Sequence, residues 1–154
     1  MILVSNLSST QAIVRARALA LLARREHSRL ELVRKLMARG FELPVIELVL
    51  TELAANNWQS EQRFAEAYLH HRSEAGFGPR RIVCELQARG ITDFPSLLHD
   101  EEAPYWQEKL EYVWHKKYGQ ATRVIEDNSL KQQRFLLGRG FAPHQVNQLL
   151  KRVL

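Results

Sequence analysis

Apolar residues recur at three- and four-residue intervals along nearly the whole chain, the spacing of one buried face of a helix. Ile13, Val14, Ala18, Leu21 and Leu22 share a side of a helix predicted over residues 10–25. Phe64, Ala67, Tyr68 and His71 do so over 60–74, and Tyr105, Trp106, Leu110, Val113 and Trp114 over 104–118. Each of these is followed by a shorter stripe: Leu32, Val33 and Leu36, then Ile82, Val83 and Leu86, then Phe135, Leu136 and Leu137. Two further helices are predicted over 44–56 and 143–154, from Val45, Ile46, Val49, Leu50 and Leu53 and from Val146, Leu149, Leu150 and Val153. Their middle counterpart, 94–102, is short, contains Pro95 and ends acidic, and is predicted irregular. No alternating strand pattern competes.

The punctuation repeats as the stripes do. Leu36-Arg39-Gly40, Leu86-Arg89-Gly90 and Leu136-Arg139-Gly140 share one register. Glycine there suits a left-handed residue just past a helix end. Twelve positions upstream stand Ser28, Gly78 and Asn128, all favoured N-caps. Ser28 with Glu31 makes a capping box, and Pro79 suits a first helical position. The chain is therefore read as all-α: three tandem three-helix, helix-turn-helix-like repeats of about 50 residues, elongated and curved. The boundaries are a tail at 1–9 and repeats at 10–57, 58–103 and 104–154.

Charge narrows the function. A net charge of +5 over 154 residues favours an anionic partner. Residues 1–90 hold 13 Lys/Arg against 9 Asp/Glu, and 93–111 hold six acids and only Lys109. The single Cys84 rules out an internal disulfide and a multi-cysteine metal knuckle. With no signal-like start and no run near the ~18 apolar residues of a membrane helix, a cytoplasmic protein is expected.

Catalytic constellations are missing. His70 and His71 are adjacent and cannot chelate as an i,i+4 pair would. Gly76-Phe77-Gly78 follows a helix, not a strand, and lacks the Lys-Ser/Thr of a phosphate loop. Glu101-Glu102 reads as a solvated acidic turn. No metal and no cofactor are expected, and no enzyme. A helix-turn-helix DNA reader needs basic and amide side chains on its second helix. Residues 44–56 carry Glu47 and Glu52 and no Lys or Arg. What remains is basic surface. Arg80 and Arg81 open a helix, where the dipole disfavours cations. Arg72 lies one turn before that loop, and Lys116-Lys117 adjoin Tyr118. Arg89 and Arg139, like Arg39, sit at helix C-termini, where offsetting the dipole explains them as well as a ligand does.

"RFAEAYLHHRSEAGFGPRRIVCELQARGI", residues 63–91, closely resembles the signature of the RecX family, bacterial regulators of the RecA recombinase. The matching positions are Arg63-Phe64-Ala65, Tyr68, Arg72, Gly78, Ile82, Glu85-Leu86 and Gly90-Ile91. "REHSRLELVRKLMARGF", "HKKYG" and "KQQRFLLGRGF" resemble the family's first and third repeats in the right order. Where the family has Leu-Asp-Asp before Arg-Phe, this chain has Gln59-Ser60-Glu61, and Ser60 can still cap the helix. The resemblance implies a regulator that binds the RecA–single-stranded DNA filament. It would inhibit recombinase, ATPase and coprotease activities, in homologous recombination and the SOS response. It implies a monomer that binds single- and double-stranded DNA only weakly and without sequence preference. The alternative is a DNA-binding protein that competes for single strands. Candidate partner- or DNA-binding residues are Arg72, Arg80, Arg81, Arg89, Lys116, Lys117, Lys131, Arg134 and Arg139.

Overall fold

The computed structural model describes residues 2–119 and 129–154, with side chains from residue 7 onward. It is helical throughout: α1 (Ile2–Arg24), α2 (Arg29–Ala38), α3 (Leu43–Ala55), α4 (Glu61–Glu74), α5 (Pro79–Gln87), a 3-10 turn (Ser96–His99), α6 (Pro104–Tyr118), α7 (Ser129–Gly138) and α8 (Pro143–Val153). No strand occurs among the described residues. The chain divides into two compact units. Unit 1 comprises residues 1–67 and 89–92, and unit 2 comprises 68–88 and 93–154. The middle repeat thus makes no unit of its own, because its third helix is reduced to the 3-10 turn after Pro95. Proline at that point cannot donate to a helical ladder.

In unit 1, α1 packs on α2 and α3. Val14, Ala18, Leu32, Leu36, Ile46, Val49, Leu50 and Leu53 form an aliphatic core, none more than 3% exposed. Each valine, leucine and isoleucine among them contributes roughly 1.5–3 kcal/mol by leaving water. Ser28 accepts from the Glu31 amide while the Glu31 carboxylate accepts from the Ser28 amide, so the predicted capping box forms. At the other end Gly40 has φ +89°, and the Gly40 and Phe41 amides bond back to Met37 and Leu36 carbonyls. That closure satisfies carbonyls the helix leaves unpaired. Ser60 does cap α4, accepting from the Arg63 amide at 3.2 Å.

Three expectations change here. The tail set at 1–9 is helical from Ile2, since nothing between it and residue 10 interrupts a helix. Ile13 is 51% exposed, because α1 turns Val14 and Ala18 to the core and leaves Ile13 beside that stripe. Ala67 and His71, assigned inward on α4, are both exposed, and Ala65, Leu69 and Ser73 are buried instead.

In unit 2, α7 and α6 both pack on α8, and α5 packs on the 3-10 turn. Trp106 is fully buried, and its indole N–H donates to the Leu97 carbonyl at 3.0 Å, tying α6 to that turn. On α7 the buried positions are Gln132 and Leu136, and Leu137 is 37% exposed, which corrects the expected Phe135-Leu136-Leu137 stripe. Gln132 takes the place that Leu32 and Ile82 hold in the other repeats. It can be buried because its Oε1 accepts from the Trp114 indole at 2.9 Å. Asn128, the expected cap of α7, lies outside the described residues.

The start of α5 is built by tertiary contact. The Gly78 amide donates to the Arg139 carbonyl at 2.7 Å and the Arg80 amide to the Gly140 carbonyl at 3.0 Å. These bonds occupy first-turn amides that have no partner within their own helix. A Cβ on Gly78 would lie 2.5–2.6 Å from the backbone of Gly140 and Phe141. Glycine at 78 is therefore required by close backbone approach, beyond its preference as a cap.

Candidate partner-binding surface

The loop between α4 and α5 places Phe77 among three of the predicted cations. The guanidinium carbons of Arg72, Arg81 and Arg139 lie 3.8, 4.4 and 4.6 Å from its ring centroid. That is within range for cation–π attraction. Phe77 reaches this position because Gly76, at φ +90°, turns the chain sharply after α4. The Gly76 and Phe77 amides bond back to Ser73 and Arg72, repeating the closure seen after α2. Phe135 on α7 continues the surface. Lys117 Nζ lies 3.5 Å from its centroid and the Arg139 guanidinium 5.1 Å.

Glu85 is the carboxylate at the centre. Arg72 donates to it from Nε and Nη2, both at 2.8 Å, Tyr68 donates its hydroxyl at 2.8 Å, and Arg81 its Nε at 3.1 Å. Burial pushes the Glu85 carboxyl up, but the hydrogen bonds from Arg72, Tyr68 and Arg81 outweigh it and bring the pKa down to about 2. Arg72 is held charged by the same pair. Four cations (Arg72, Arg81, Arg139 and Lys117) thus gather over two aromatic rings with one carboxylate among them. Beside them is a hollow of about 270 Å³ lined by Lys116, Lys117, Phe135, Arg139, Tyr112 and Glu74, among others. Glu74 is paired with Lys109, and Tyr112 is 59% exposed.

The other candidates have settings of their own. Arg80 makes a two-pronged pair with Glu101 at 2.7 and 2.8 Å, so an internal carboxylate accounts for a cation at a helix start. Arg89 belongs to unit 1, with its Nε 3.5 Å from Glu31. Lys131 and Arg134 are exposed on α7. Phe77, Glu85, Tyr112 and Phe135 were not singled out as site residues from the sequence. Glu85 stands among the positions that carry the resemblance and Phe135 in the apolar stripe of its helix, whereas nothing in the sequence marks Phe77 or Tyr112. Among the described residues no group of three or more His, Cys, Asp or Glu could hold a metal ion, and Cys84 is exposed. No helix there is long and apolar enough to cross a membrane.

Comparison with known proteins accounts for most of the chain. The family models for the first, second and third three-helix domains of RecX match residues 15–53, 60–94 and 104–150. Regulatory protein RecX of Pseudomonas entomophila (strain L48) is 40% identical over 148 residues, covering 95% of both chains. That of Pseudomonas putida (strain W619) is 41% identical over 143 residues, covering 92% of this chain and 91% of its own. Among solved structures, RecX from Lactobacillus salivarius superposes with a TM-score of 0.79 at 19% identity, over 95% of this chain and 97% of its own. Three domain matches in order, together with this identity over nearly the full length, show that the chain belongs to the RecX family of regulatory proteins.

Proposed function

We propose that the chain regulates RecA by binding the RecA–single-stranded DNA filament and inhibiting its recombinase, ATPase and coprotease activities. It would thereby modulate homologous recombination, DNA repair and the SOS response in the cytoplasm. The observation that carries this reading, beyond family membership, is the cation–aromatic cluster of unit 2. Guanidinium planes offer paired donors to carboxylates or phosphates, and the rings beneath them hold those planes in place. A ligand of either kind would add negative charge where Arg72 and Arg81 hold Glu85 and Lys117 and Arg139 stand over the rings. Inhibition would then follow from binding the inactive or shortened filament more tightly than the active one. The protein acts as a monomer without catalysis or cofactor.

The test titrates the purified protein into RecA on single-stranded DNA and follows ATP hydrolysis, alongside binding to naked DNA at the same salt. Inhibition at concentrations that leave naked DNA unbound is expected. A folded Lys117→Glu, Arg139→Glu double variant, which reverses two cations of the cluster, should need severalfold more protein for the same inhibition. Full potency in that variant would remove the cation–aromatic cluster from the contact. The second reading, competition for single strands, is favoured by exposed Tyr112 beside Lys116 and Lys117, an aromatic and cations together. Inhibition that tracks DNA occupancy would select it.

A further inference from the structure

A second basic feature lies wholly in unit 1, where no binding residue has been assigned except Arg89. One side of α1 and the C-terminal part of α2 border an open groove of about 490 Å³. Its rim carries Arg17 and Arg24 from α1 and Lys35 and Arg39 from α2, and Ala20 and Leu21 lie between them. All four cations are exposed, and the lining contains no acid.

The contrast with the rest of unit 1 makes the groove informative. Arg15 is paired with Glu52, Arg25 with Glu31, Arg63 with Glu26 and Arg89 with Glu31. Glu61 takes the Arg29 amide and the Gln59 amide group. Four other arginines of the unit, Arg15, Arg25, Arg63 and Arg89, are thus each met by one of its own carboxylates. None of the four groove cations forms an ion pair or a side-chain hydrogen bond among the described residues. Gathering like charges without a counter-charge works against the compact state and raises the local concentration of anions. Helix dipoles account for Arg24, Lys35 and Arg39, which lie at or near helix C-termini. They do not account for Arg17, two turns inside α1.

We infer that this groove is a binding site for the phosphate backbone of a nucleic-acid strand. Three of the four cations are arginines, whose planar fork matches phosphate oxygens. Arg17 and Arg24 are seven residues apart on one helix face, a rise of about 10 Å, comparable to about three nucleotide steps at roughly 3.4 Å of axial rise along a B-form strand. Between them the surface is alanine and leucine, low enough for a backbone to approach. No Asn, Gln, Ser or Thr lines the groove to read base edges. Binding is therefore indifferent to sequence and strongly dependent on salt.

The test uses the full chain, a dye-labelled oligothymidine and no RecA, so its failure leaves the filament reading standing. Failure of ATPase inhibition likewise leaves this groove standing. Fluorescence anisotropy is measured across a salt series for the parent, for Arg17→Gln with Lys35→Gln, and for Lys151→Gln as an exposed cation outside the groove. Melting curves verify that both variants fold. The groove variant should bind about tenfold more weakly at low salt. Its slope of log affinity against log salt should fall by about 1.4, two contacts at roughly 0.7 each on a single strand. Lys151→Gln should leave the slope near the parent value. The proposal is overturned if the parent does not bind the oligonucleotide at low salt, or if Lys151→Gln loses as much as the groove variant. It is overturned too if the groove substitutions spare DNA binding but abolish binding of a polyglutamate peptide, since the occupant is then an acidic protein segment.

Discussion

Unit 1 and unit 2 contain helices in the same repeat register yet close themselves by different means. Unit 1 has a full-length α3, and it buries a continuous aliphatic cluster from α1, α2 and α3. Its Gly40 has open space around it: an added Cβ would meet nothing within 4 Å. Unit 2 has the 3-10 turn where a third helix of the middle repeat would stand. It relies on backbone-to-backbone bonds from the start of α5 to Gly140 and Arg139, on two crowded glycines, and on buried Gln132 and Gln145, bonded to the Trp114 indole and the Ala103 carbonyl. Where a helix can bury an apolar stripe, volume alone does the closing, and side chains are interchangeable within limits. Where it cannot, backbones approach one another and polar groups must be matched individually, so single positions become intolerant. The cation cluster arises in the second kind of unit, because the sharp turn at Gly76 is what sets Phe77 beneath Arg72, Arg81 and Arg139.

The largest expected effect tests that contrast directly. Gly78→Ala should cost about 3 kcal/mol, because the new methyl meets main-chain atoms that cannot swing aside. Gly40→Ala should cost about 1 kcal/mol, the conformational penalty of a left-handed alanine alone. Thermal melting followed by circular dichroism measures both, and equal losses would mean that the α5–Gly140 approach is looser than described.

Next comes Glu85→Gln, with a loss of about 2 kcal/mol as Arg72 and Arg81 lose their counter-charge in a half-buried site. It also predicts a pH dependence. The folded Glu85 carboxyl titrates near 2 and the unfolded one near its ordinary 4.5, so the unfolded state binds the proton first as pH falls. The stabilisation is fully present above about pH 4.5 and is lost between there and pH 2. Urea titrations at several pH values should show this acid limb in the parent and its flattening in Glu85→Gln.

Gln132→Leu is milder, about 1 kcal/mol. Leucine restores the apolar residue of the other repeats but leaves the Trp114 indole N–H without its acceptor. A neutral or stabilising result, with tryptophan emission unchanged, would show that water replaces the amide.

The smallest effect belongs to unit 1. His27 is 2% exposed, its Nδ1 lies 3.0 Å from the Arg25 carbonyl, and its Nε2 has no hydrogen-bond partner among the described residues. Burial lowers its pKa below the ordinary 6.5, outweighing the Arg25 carbonyl bond. The unfolded state then takes up the proton first, so stability falls as pH drops through and below 6.5. His27→Leu should remove that upper limb and leave the one below pH 4.5 in place. A parent whose stability is flat from pH 7 to 5 would show His27 to be hydrated.

Much of the architecture was legible from residue order. The all-helical class, the three repeats, the bounds of α6 and the capping box at Ser28 follow from spacing and cap chemistry, which are local. So does the irregular segment after Pro95. The closures at Asn57 and Gly76 were missed, although both adopt positive φ, because no repeat register flagged them. The buried face of α7 was misread because composition favours Leu137 over Gln132. Only Trp114, eighteen positions away, makes the glutamine the better core residue.

The basic residues follow the same rule. The chain's sequence marked where cations are abundant, but not which are neutralised. Arg80 and Arg81 looked unexplained until Glu101 and Glu85 came within bonding distance. Arg17 drew no notice until α1 and α2 set it opposite Lys35 and Arg39 across one groove. Helix propensity, capping and glycine punctuation act within one turn and are written in neighbouring residues. Charge pairing and backbone approach fall off over a few ångströms of space, and that distance exists only once the helices have packed.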